Sequence, residues 1–261
     1  MPGSHQSGIL EGMSPIHVVT FDIWQTLIID REDWGRERSR LRIQGAIDAL
    51  HNAGEDFTEE QVREAYRACY RACRVIRHEE RDISFKEQVQ MFVQRISPGL
   101  LERVDRETFA RILNRYADAF FDSPPAVAEG AADTLLRLKE QDYRLGVISN
   151  TTTTPGRLLR SYLEDLELVQ YFDHMTFSDE VLLSKPSPAI FQHTLVSMGC
   201  LAEQAIHVGD HLHNDILGAQ RAGIRSAWIE GYDDSKAEVA PTVTLQRISE
   251  LPAALEALNA G

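Results

Sequence analysis

Hydrophobic and polar positions change character three times along the chain. IHVVTFD (16–22) is a short apolar, β-branched run ending in an acid, the pattern of a strand buried on both faces. Similar runs return only after position 140, as YRLGVISN, HMTFS, AIHVGD and RSAWIEG, with segments of helical spacing such as AIFQHTLVSMGC between them. Strands alternating with helices predict an α/β core with a Rossmann-like, doubly wound parallel sheet. Residues 31–122 carry almost no strand pattern and much helical periodicity, as in REAYRACYRACRVI and RETFARILNRYADAFF, which predicts an inserted helical unit. DSPPAVAEG (122–130) marks the return to the core, because its prolines disfavour continued helix. The expected organisation is a flexible tail over 1–15, a core over 16–30 and 124–261, and a helical cap over 31–123. The polar, Gly- and Ser-containing opening MPGSHQSGILEG fits such a tail, with Met13 a candidate start.

Composition narrows the function classes. The 261 residues are 43% hydrophobic with a net charge of −13, which argues against nucleic acid or an anionic membrane as partner, since both need a basic surface. The charge is unevenly spread: residues 31–122 hold 18 acidic and 17 basic side chains, the rest 22 and 10. The absence of a long apolar run and of a basic-then-apolar leader points to a cytoplasmic protein, a monomer or homodimer with a small-molecule substrate. Cys69, Cys73 and Cys200 have neither disulfide nor metal-ligand spacing; Cys69 and Cys73, four apart, are expected to be small buried residues on one helix face. Arg63, Arg67, Arg71 and Arg74 form a stripe, read first as a solvated face and second as an anion-attracting surface turned toward the core.

In a doubly wound sheet, ligands collect beyond the carboxyl ends of the strands. Polar residues stand at four such ends: Asp22 in FDIWQTL, Ser149 and Asn150 in VISNT, Lys185 in LSKPSPAIF, and Asp210 with Asp215 in HVGDHLHND. Each alone would pass for a helix cap or turn former. Together, in this order and spacing, they resemble the four motifs of the haloacid dehalogenase superfamily, and the helical insertion matches that family's cap placement. The resemblance implies a hydrolase in which Asp22 attacks the substrate and forms a covalent ester that water then cleaves. It implies a Mg²⁺ cofactor held by the carboxylates of Asp22 and Asp210 and the backbone carbonyl of Trp24, with Asp215 in or near the first shell. Lys185 would neutralise charge at Asp22 and on the transferring group. Ser149 and Asn150 would hold phosphate oxygens, Trp24 would border the substrate and Thr26 would orient the nucleophile or its loop.

One position departs from the pattern. Phosphatases of this superfamily carry a second aspartate two residues after the nucleophile, serving as general acid and base; here that residue is Trp24, whose indole can do neither. A lost general acid costs about 10² to 10⁴ in rate. Three routes remain: a leaving group that needs no proton, a substitute acid from Asp33, Glu37, His211 or His213 (each more often a solvated loop residue), or a different reaction. The 2-haloacid dehalogenases place Tyr there but lack the first metal-binding acid of the fourth motif, which this chain retains at Asp210. Phosphonoacetaldehyde hydrolases use a cap lysine, for which Lys86 is the one candidate before Lys139. A non-catalytic binding protein is the remaining alternative, disfavoured by the retained Asp22, Lys185, Asp210 and Asp215. The expectation is therefore a phosphatase for a small phosphorylated metabolite. Among Arg36, Arg38, Arg40 and Arg42, helical geometry lets at most one or two reach the pocket. Trp24 and Trp34 are read as core or pocket-wall aromatics, and His207, inside a strand, as structural.

Overall fold

The computed structural model describes residues 14–233 and 239–260; the expected tail over 1–15 lies almost wholly outside them. Six strands form one parallel sheet: β1 (Val18–Phe21), β4 (Arg144–Ser149), β5 (His174–Phe177), β6 (Ala205–Gly209), β7 (Arg225–Ile229) and β8 (Val243–Leu245), in the order β5-β4-β1-β6-β7-β8. The sheet is doubly wound, as the alternating pattern predicts. β1 lies centrally, paired with β4 (Phe21 beside Val147) and with β6 (Phe21 beside Val208), so the two halves of the sheet diverge at its carboxyl end.

Alternation within the strands explains why both faces are apolar. Val19 and Phe21 join Leu145, Val147, Ile206 and Val208 on one face, covered by α6 (Ala131–Glu140), α7 (Gly156–Asp165) and α11 (Leu251–Ala260). Val18, Ile148 and Ala205 turn to the other, beneath α9 (Pro188–Met198) and the short α10 (Gly218–Arg221). A single turn, α8 (Ser178–Val181), follows β5.

Between β2 (Ile28–Ile29) and β3 (Ala126–Val127) the chain forms helices joined by short connections: α1 (Glu32–Asn52), α2 (Glu59–His78), α3 (Phe85–Ile96), α4 (Leu100–Arg103) and α5 (Arg106–Asp122). β2 and β3 pair antiparallel, so the two linkers into and out of the helices form one ribbon. The starts of the helices are written in local chemistry. Thr58 with Gln61 and Ser84 with Glu87 form capping boxes, and Asp105 accepts from Thr108 N at 2.7 Å. α1 packs along α5 and α2 along α3 around a separate apolar cluster containing Leu50, Val62, Phe92 and Tyr116. Cys69 and Cys73 are buried in it, as their spacing suggests.

Candidate active site

Asp22 emerges from the end of central β1, its backbone N–H donating to Val208 O at 2.9 Å, and its side chain is almost fully buried. The Lys185 ammonium bridges two acids, donating to Asp22 Oδ1 at 2.7 Å and to Asp215 Oδ1 at 2.6 Å. Asn150 fixes that lysine from behind: its Nδ2 donates to Lys185 O at 2.9 Å and its Oδ1 accepts from Lys185 N at 2.8 Å.

Asp215 sits in a π-helical turn (Leu212–Leu217) directly after β6, a widened turn of the kind found at functional sites. His211 N donates to its Oδ2 at 2.9 Å, and His207 Nε2 lies 3.3 Å from its Oδ1. His207 is fully buried with Thr20 Oγ1 2.9 Å from its other ring nitrogen, so it is a structural support for Asp215. Gly209, at the end of β6, is packed so closely against the Asp215 carboxyl that a β-carbon would overlap it.

Asp22, Asp210 and Asp215 each present an oxygen within 4.8 Å of the others. Burial pushes the Asp215 carboxyl up, but Lys185 and His207 outweigh this and hold it well below the usual range. Burial raises Asp22, partly opposed by Lys185. Burial and the charges of Asp215 and Asp22 push Asp210 up to about 8. For Lys185, burial favours the neutral amine, yet Asp215 and Asp22 prevail and raise it. One lysine cannot balance three clustered carboxylates, two of them buried. That surplus of negative oxygen ligands fits a hard divalent cation.

The cluster opens into a cavity of about 650 Å³ between the sheet's carboxyl edge and helices α1 and α2. Asp22, Trp24, Asn150, Lys185, Asp210 and Asp215 all line it. Trp24 is half-buried, packed edge-on against Phe120 with ring centroids 6.2 Å apart, and its indole N–H is buried without a partner among the described residues. Ser149 and Thr26 are not among the lining residues: both are buried, and neither hydroxyl has a hydrogen-bond partner among the described residues. The structure therefore puts Asn150, and not the Ser149 hydroxyl, at the cavity, and uses the Asn150 amide to hold Lys185.

The substitute acids fare unequally. Asp33 and Glu37 are exposed partners of Arg31 and Arg40, and His213 is exposed. Only His211 of the four borders the cavity, with Nδ1 3.3 Å from Asp233 Oδ2. Lys86 is exposed in the first turn of α3 and does not line the cavity, which removes the basis for a Schiff-base role. Trp34 stacks under Arg31, also away from the cavity. In the arginine stripe of α2, Arg67 and Arg71 reach the cavity rim while remaining exposed beside Glu60 and Glu64.

Sequence reasoning missed Asp30, Tyr66 and Thr152 to Thr154 as cavity residues. The run of four threonines after VISN was a usable signal, because loops beyond strand ends border the ligand crevice.

Residues 58–229 match the family model described as haloacid dehalogenase-like hydrolase, and the chain belongs to that family. The matched span begins after the Asp22 strand. Glyceraldehyde 3-phosphate phosphatase of Pyrococcus furiosus is 38% identical over 135 residues, 50% of this chain and 53% of that protein. Phosphoglycolate phosphatase 1 of Pseudomonas aeruginosa is 31% identical over 169 residues, 62% of this chain and 61% of that one. The chain thus spans about half the length of the curated relatives it matches. Among solved structures, a 2-haloacid dehalogenase from Pseudomonas syringae pv. Tomato shares the fold with TM-score 0.64 at 24% identity, covering 93% of this chain and 99% of that chain. No described helix is long and apolar enough to cross a membrane.

Proposed function

We propose that this chain is a Mg²⁺-dependent phosphatase of a small phosphorylated metabolite, working in the cytoplasm as a monomer or homodimer through an aspartyl-phosphate on Asp22. The observation that carries this reading is the Lys185 ammonium held between Asp22 and Asp215 at 2.7 and 2.6 Å, beside Asp210, at the floor of a cavity. The names of the two relatives support phosphate esters as the substrate class.

Asp22, Asp210, Asp215 and the Trp24 carbonyl would hold Mg²⁺, which when bound supplies Lewis-acid stabilisation of phosphoryl oxygens. An Asp22 carboxylate oxygen attacks phosphorus, and the ester oxygen departs with the bonding electrons. Lys185 balances the charge that Asp22 and the transferring group present together. Water then attacks the phosphoryl group, the bond between the Asp22 oxygen and phosphorus breaks, and inorganic phosphate leaves carrying both water protons as H₂PO₄⁻, with the Asp22 carboxylate regenerated. Helices α1 to α5 act as a cap that excludes bulk water from the intermediate. Thr26 and Ser149, both buried next to the strand ends, act by shaping the backbone that presents Asp22 and Asn150.

Trp24 offers no proton to the departing oxygen, so acyl, enol or aryl phosphates, whose oxygens leave readily as anions, are the favoured substrates. The same residue favours the second reading, halide displacement from carbon, against which the three-carboxylate cluster stands. Phosphate release from a panel of esters, with Mg²⁺ and with chelator, decides: dependence on Mg²⁺ and on Asp22 is expected, and silence across the panel moves the reading to carbon-halogen cleavage.

A further inference from the structure

Of the four arginines that open α1, two enter the cavity. Arg38 and Arg42 stand one turn apart and are buried to 4% and 2% exposure. They differ in one respect. Arg38 is neutralised by Asp30 and also donates from Nη1 to Ser123 O at 2.6 Å. Arg42 has only neutral partners among the described residues. Its Nε donates to Tyr116 O at 2.9 Å, Nη1 to Thr153 Oγ1 at 2.9 Å and Nη2 to Thr154 Oγ1 at 3.3 Å, and its guanidinium lies 5.1 Å from the centre of the Tyr116 ring.

A guanidinium carries five N–H donors. Three are engaged, which leaves one on each terminal nitrogen. An always-charged group that is buried without a counter-ion is costly unless an anion completes it. The other cationic groups at the cavity are already balanced: Lys185 by Asp22 and Asp215, Arg38 by Asp30, and Arg71 by Glu64, while Arg67 is exposed to solvent near Glu60 and Glu64.

We propose that Arg42 determines specificity by binding a carboxylate on the same substrate molecule whose phosphoryl group reacts at Asp22. The two remaining donors, one on each terminal nitrogen, suit the two oxygens of a carboxylate, and one positive charge matches its single negative charge. The substrate is then a phosphorylated carboxylic acid, phosphate toward the three carboxylates and Lys185, acid group toward Arg42, Thr153 and Thr154. Because Arg42 belongs to α1 and both threonines to the loop after β4, the bound carboxylate also ties the helical layer to the core. This inference rests on the phosphatase reading.

The test is calorimetric binding of a short phosphonocarboxylate, which cannot be hydrolysed, and of its carboxamide, to the full chain with Mg²⁺. The expected result is a preference for the carboxylate of about 10- to 100-fold, the range for charge-assisted hydrogen bonds. Arg42→Gln should lose that preference, so that carboxylate and carboxamide bind it with similar affinity, and Arg42→Lys should keep part of it. A purely structural role would weaken both ligands equally. Equal affinities in the parent protein overturn the proposal, a comparison that needs no variant to fold; so does a preference that survives Arg42→Gln. Binding requires no turnover, so failure to release phosphate from any ester would count against the phosphatase reading and leave the measured preference to judge Arg42.

Discussion

Gly209 and the Asp215 carboxyl occupy adjoining space so tightly that no side chain is tolerated between them. The closeness follows from topology: β6 ends at Gly209, and the π-helical turn that follows folds Asp215 back over the strand end, where Lys185 and His207 hold it.

Gly209→Ala should therefore act on the site as well as on stability. Overpacking of this kind costs about 1 to 3 kcal/mol, and the displaced Asp215 should weaken Mg²⁺ binding. Thermal unfolding with and without Mg²⁺ checks this: the variant should melt lower and gain less from the metal than the parent does. Equal metal-dependent gains would show that Asp215 had not moved.

Lys185→Met leaves Asp22 and Asp215 buried without their shared cation. Breaking a buried ion pair from one side costs about 3 to 5 kcal/mol. Denaturant unfolding in chelator should show a loss of that order. Mg²⁺ should restore more stability to this variant than to the parent, because the ion supplies the missing positive charge.

Trp24→Asp restores an acid at the position where the indole stands. Turnover of alkyl phosphates should rise, by up to about 10² to 10⁴ if proton donation is what limits it, while aryl or acyl phosphates change little. A uniform loss on all esters would mean that the packing of Trp24 on Phe120 matters more than its lack of a proton.

His174, on edge strand β5, supplies a pH prediction away from the site. Burial, with His193 and Arg160 nearby, lowers its pKa from 6.5 in the folded state. The unfolded chain then binds the proton more tightly, so this group favours unfolding as pH falls through 6.5 toward the folded value and contributes nothing to pH dependence above that window. Comparing His174→Gln with the parent by denaturant titration between pH 5 and about 8 should show the parent losing stability relative to the variant only at the acid end.

The parts of this protein that were legible in its sequence are those whose environment is the same along their length. β1, β4, β6 and β7 read as apolar, β-branched runs because both faces of a central parallel strand are covered. β8 is a three-residue edge strand with one exposed position, and β2 and β3 are two residues each, too short to carry a period. At the site, Asp22 and Asp210 directly follow the ends of β1 and β6, whereas Lys185, beyond α8, and Asp215, inside the π-helical turn, could be found only by their order and spacing in the motifs. Whether Ser149 or Asn150 faces the cavity depends on where the pleat stops, which the residue string does not say. Arg42 could not be told from Arg38, since the difference between them is Asp30, brought to Arg38 by the turn before α1. The π-helical turn around Asp215 left no periodic trace, being one widened turn in a short segment.

The most direct test of the central claim is trapping of phosphate on Asp22. Rapid acid quench of the full chain with Mg²⁺ and a ³²P-labelled acyl or aryl phosphate, followed by peptide mapping, should place one labile, hydroxylamine-sensitive phosphoryl group on the peptide containing Asp22, absent in Asp22→Asn. Phosphate released at full rate by Asp22→Asn, or label found on another residue, would contradict the assignment of Asp22 as nucleophile.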